Sequence, residues 1–219
     1  MKRLPALLFS LLLLCASARA AEPARITVDF SAAPECEAFA VKAQGIAEEW
    51  YPKINSILFG PEHPLPLPAV HLVFEPMKGV AFASGDKIHI SAEWVTKKAP
   101  TDYGMVVHEL THIVQAYRRG NKVDGWVTEG IADYIRHQHF EKDPEVITKR
   151  INPDKASYTN SYTTAAAFLI WIETKKSRDF VAKLNLACHE GRYKVELFKE
   201  LAGQDVDELW KEFTDSLRK

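Results

Sequence analysis

His108-Glu109-Leu110-Thr111-His112 places two imidazoles four residues apart, with a carboxylate directly after the first. On a helix this spacing stacks both rings on one face, where together they can hold one Zn²⁺. Glu109 then lies beside the open coordination position, where a carboxylate can take a proton from water. Val106, Val107, Leu110, Ile113 and Val114 make the same segment apolar around its polar motif. Burying two imidazoles and a carboxylate without partners costs several kcal/mol, and a metal removes that cost.

A zinc site that keeps one position open needs a third protein ligand. Glu129 follows His112 by seventeen positions. That is enough chain to end one helix near Gly120, turn, and return on a second helix facing the first. Asp133 comes one helical turn after Glu129 and shares its face. A carboxylate there can receive the free ring N–H of a liganding histidine and fix its orientation. Asp133 in place of Glu129 as third ligand is the alternative. Gly130 weakens a helix by about 1 kcal/mol relative to Ala, which suits close backbone packing beside the metal.

The elements around this motif read as strands first and helices later, which indicates an α+β fold with a small mixed sheet and a mainly helical C-terminal half. Residues 26–30 and 69–74 alternate as strands, and 79–91 suggests a hairpin turning at Ser84-Gly85-Asp86. Residues 35–58 carry a helical pattern with Phe39, Ile46, Trp50, Ile54 and Leu58 toward the core; Pro52 is expected to kink or divide it. Beyond Pro100, helices are expected over 101–119, 126–139, 162–175, 178–189, 193–201 and 206–217. The other six histidines, among them His71, His89, His137 and His139, add no motif and read as structural.

Composition narrows the function. The 219 residues hold 28 Lys plus Arg against 29 Asp plus Glu, a net charge of −1, so no basic excess points to nucleic acid. Lys2 and Arg3, the apolar run at 7–14, and Ala18-Arg19-Ala20 form the three regions of a secretory signal peptide, in order. The expected organisation is a leader at 1–20 and one domain at 21–219, exported to the periplasm or medium, monomeric, and without a membrane anchor after cleavage. Cleavage removes Cys15 and leaves Cys36 and Cys188, as a disulfide or as two buried thiols.

The runs His108-Glu109-Leu110-Thr111-His112-Ile113-Val114-Gln115 and Trp126-Val127-Thr128-Glu129-Gly130-Ile131-Ala132-Asp133-Tyr134-Ile135-Arg136 closely resemble the plant basic secretory protein family, whose bacterial members are called peptidases of plants and bacteria. The resemblance extends to Thr27-Val28-Asp29, to the Ala-Ala-Phe-Leu core of 162–171 and to Leu209-Trp210. It implies a zincin-like metallopeptidase with zinc on His108, His112 and Glu129, Glu109 as catalytic base and Asp133 supporting the first histidine. Tyr162 resembles in placement the tyrosine that stabilises the oxyanion in glutamate zincins; Tyr158 is its rival. Zincin-like folds also lay the peptide along an edge strand, for which Lys87–Ser91 is the candidate. The chain departs from the plant proteins in not being basic. The expectation is a zinc-dependent endopeptidase acting on peptides or proteins, since no amine-binding motif of aminopeptidases is present. The alternative is a noncatalytic protein of the same fold that holds peptide or glycan.

Overall fold

Val70, Leu72 and Phe74 alternate with polar or half-buried residues, so one face of β2 (Ala69–Glu75) is fully buried. The computed structural model describes residues 24–118 and 120–218; the expected leader at 1–20 lies outside the described residues. β1 (Arg25–Asp29) runs parallel to β2, with Ile26 beside Val70. β3 (Ala81–Ser84) and β4 (Lys87–Ser91) form the expected hairpin. β4 returns parallel to β2, aligning Leu72 with Ile88 and Phe74 with Ile90, and the strand order is β1-β2-β4-β3.

This order corrects the expected edge. Lys87–Ser91 is paired on both sides, and β3 takes the edge of the hairpin side of the sheet, with β1 at the other edge. The reason lies in the connection: the segment after β2 passes outward before the hairpin turns, so the second hairpin strand, not the first, closes onto β2.

The apolar face of the sheet is covered by α1 (Glu37–Phe59) and α2 (Gly104–Gln115). α1 runs unbroken through Pro52, against expectation. Proline removes one amide and crowds the carbonyl four residues earlier, but here Pro52 and Glu48 both lie on the exposed face, where that loss is least costly. The buried stripe is Phe39, Ala40, Ala43, Ala47, Tyr51, Ile54 and Leu58. Ile46 and Trp50 are only half-buried, because the small alanines bring the helix close to the sheet. A π-helical turn, Trp94–Lys98, links β4 to α2.

α2 is shorter than expected. It stops at Gln115 because Ala116 takes a left-handed conformation, φ 42°. α3 (Gly125–Tyr134) widens into a π-helical turn, Ile135–Phe140, followed by the short α4 (Pro144–Lys149), which the sequence reading missed. α5 (Tyr162–Lys175) packs along α3, and α6 (Phe180–His189), α7 (Leu197–Ala202) and α8 (Val206–Leu217) complete an α+β fold with a mainly helical C-terminal half. Gly130 is needed for the α3–α5 contact rather than beside the motif: a Cβ there would lie 2.9 Å from the Ala165 Cβ.

Cys36 and Cys188 are both buried and free. Burial pushes the Cys188 thiol up to about 12, so neither is poised as a nucleophile. Thiol titration of the denatured, unreduced 21–219 chain should therefore find two reactive groups; finding none would restore the disulfide.

Candidate metal centre

α2 carries the motif and packs against β3. His108 and Glu109 are almost fully buried, with His112 half-buried. α3 packs against α2 and brings Glu129 to the two rings. The Nε2 atoms of His108 and His112 are 3.1 Å apart, and Glu129 Oε2 lies 3.2 Å from the first and 3.4 Å from the second. These three atoms form one of two groups among the described residues with a spacing that could hold a metal ion.

Tetrahedral bonds of about 2.0–2.1 Å give ligand-to-ligand edges of about 3.3 Å, close to all three observed separations. Two neutral nitrogens and a carboxylate are also a common donor set for Zn²⁺, so the residues fit the ion.

Asp133 Oδ1 lies 2.7 Å from His108 Nδ1. Thr163 Oγ1 donates to the other Asp133 oxygen at 3.2 Å, and His137 Nε2 stands 4.0 Å from it. Burial disfavours a charge on His108, but Asp133 and Glu129 outweigh it and push its pKa up to about 9. Burial raises Glu129 too, but the histidines facing it, His108 first, prevail and hold it at about 2.

Glu109 contributes no atom to the triangle. Burial raises its pKa, opposed by His108 and His112 and in smaller part by the Ala83 amide of β3. It lines a cleft of ≈ 590 Å³ together with Ala81, Met105, Arg136, Tyr162 and Thr163. Tyr162 is 54% exposed at the mouth, its ring stacked over that of His108 with centroids 5.9 Å apart. Its phenol is raised in pKa chiefly by the charge of Glu129, so it stays a donor. Tyr158 is elsewhere: it packs on Trp126 and Trp210 and donates to Asp207 at 3.0 Å.

The sequence reading missed Gln115. It is buried in the last turn of α2, with Oε1 2.8 Å from His112 Nδ1 and Nε2 2.9 Å from the Thr128 carbonyl. A polar amide in an apolar helix three residues after the second histidine was the available signal. His137 gathers Glu141 and Asp143 at 3.2 and 2.8 Å. Arg136 already pairs with Glu141 at 2.7 Å, so one carboxylate of that second group is served by a cation of the protein itself. A larger hollow of ≈ 740 Å³ near Glu173 and Arg178 holds none of the motif residues.

No curated protein and no solved structure matches this chain. The family model described as peptidase of plants and bacteria matches residues 37–213, a span from the start of α1 into α8 that contains both α2 and α3. The chain therefore belongs to the family of peptidases of plants and bacteria.

Proposed function

We propose that this member of a peptidase family is an exported, zinc-dependent endopeptidase of zincin-like fold, with His108, His112 and Glu129 holding the metal. The observation that carries the reading is the triangle of donor atoms with edges of 3.1, 3.2 and 3.4 Å beside a buried carboxylate that is not part of it. When bound, zinc supplies Lewis acidity at the open position.

The chain's own residues supply the rest. Glu109 takes a proton from water at its carboxylate and delivers it to the leaving amine; burial brings its pKa toward the working pH, as proton transfer requires. Asp133 receives the Nδ1–H of His108 and leaves Nε2 facing the donors. Tyr162, a protonated phenol at the mouth, offers a hydrogen bond to the developing oxyanion. β3 is paired only with β4 and lies over α2, so its outer edge can take an extended peptide by strand addition. Main-chain pairing of this kind holds many sequences, which suits a peptidase more than a reader of one sequence. The leader at 1–20 would carry the enzyme out of the cytoplasm.

The test uses the 21–219 protein. It is expected to hold one zinc per chain by elemental analysis and to cleave a mixed peptide library at internal bonds. A strong chelator should stop the cleavage and added zinc restore it. Cleavage indifferent to the chelator would refute the metal mechanism. Stoichiometric zinc with no cleavage of any peptide would favour a noncatalytic peptide- or glycan-binding protein.

A further inference from the structure

We infer that Gln115 is a positioning residue that fixes the ring nitrogen His112 presents to the metal and ties it to the helix bearing Glu129. The inference rests on reading His112 and Glu129 as ligands, but its geometry stands in the metal-free protein.

The backbone carbonyl of Thr128 only accepts hydrogen bonds, so the Gln115 atom 2.9 Å from it must be the amide nitrogen. That fixes the side-chain flip, which geometry alone leaves open in most buried amides. The amide oxygen then faces His112 Nδ1 at 2.8 Å. An amide oxygen also only accepts, so the neutral ring must carry its proton on Nδ1. Nε2 is left with its lone pair directed at His108 Nε2 and Glu129 Oε2, 3.1 and 3.4 Å away. A carbonyl on α3 thus decides the tautomer of a histidine on α2.

The same amide sets distance. Thr128 immediately precedes Glu129, and His112 is one turn before Gln115, so one side chain joins the neighbours of two ligands on different helices. Gln115 is itself held: it is 1% exposed, and its carbonyl accepts from His189 Nδ1 at 3.0 Å, which fastens the end of α2 to α6. The two histidines are consequently oriented by different chemistry. His108 leans on a carboxylate, Asp133, whereas His112 leans on a neutral amide. A second carboxylate in that place would add negative charge beside Glu129 and Asp133. The amide gives direction without charge.

Partners that orient metal-bound histidines are typically worth about 10–100-fold in metal affinity. Gln115→Met keeps the volume and removes both hydrogen bonds, and is expected to weaken zinc binding by about that factor in a competition titration against a chromophoric chelator. Gln115→Glu keeps an oxygen for His112, loses the donor to Thr128 and adds a negative charge, so it should bind zinc more tightly than Gln115→Met. A folded Gln115→Met protein with wild-type affinity would overturn the inference, as would equal losses in the two variants.

A spectroscopic measurement needs no variant to fold. Long-range ¹H–¹⁵N spectra of the metal-free wild type, in mildly alkaline buffer, should show His112 as the Nδ1–H tautomer. The Nε2–H tautomer would sink the proposal even if zinc binding and peptidase activity were intact. Conversely, the Nδ1–H tautomer in a protein that binds no zinc would uphold the arrangement while refuting the ligand reading.

Discussion

Glu109→Gln is expected to keep the fold and the zinc while lowering peptide cleavage by about 10⁴-fold, the upper end of what general-base catalysis contributes. The amide has nearly the shape of the carboxylate, and position 109 is buried beside the donor triangle without joining it. What the substitution removes is the ability to accept a proton from water and hand it to the amine, both steps resting on one group. Burial raises the Glu109 pKa, which makes it a better proton carrier near neutrality; a glutamine has no pKa to tune. The measurement is kcat/KM for the two proteins at matched zinc content, so that lost metal does not imitate lost chemistry. Equal rates would refute the role of Glu109.

What could be read from the sequence divides along physical lines. The motif on α2 was legible because a spacing of four residues acts within one helix and needs no knowledge of the fold. The approach of Glu129 was legible as a matter of chain length between two helical patterns. The expected bounds of α5 and α8 match the observed ones, and each helix proves to start at a cap: Ser161 accepts from the Thr164 amide, and Asp205 and Glu208 form a capping box. Contacts set by strand order were not legible. Whether β3 or β4 lies at the edge depends on which hairpin strand meets β2, and both segments alternate alike. Ala116 gave no sign that α2 would end there, since alanine favours helix and its left-handed conformation comes from the loop being fastened to α6 through Tyr117, Asn121 and His189. Gln115 was missed for a related reason. Its partner Thr128 belongs to another helix, and only the packing of α2 on α3 makes the amide useful.

Glu129→Ala should leave the 21–219 protein with much less than one zinc per chain after dialysis, because two histidines alone hold the ion poorly. Asp133→Ala should retain zinc with affinity reduced about 10–100-fold, the range for a residue that orients a ligand. The reverse pattern would make Asp133 the third ligand. The dependence on pH separates the two roles further. In the metal-free site His108 holds its extra proton up to about pH 9, and zinc must expel it. Wild-type affinity should therefore rise about tenfold for each pH unit below that value and level off above it. Asp133 acts in both directions: it orients the ring toward the metal, yet it also stabilises the competing proton. Removing it lowers the His108 pKa and relieves that competition at acidic pH. The deficit of Asp133→Ala relative to wild type should accordingly be greatest in alkaline buffer and shrink as the pH falls, whereas Glu129→Ala should remain defective throughout, since no proton balance replaces a missing donor. An Asp133→Ala deficit that grows on acidification would contradict the part assigned to this carboxylate.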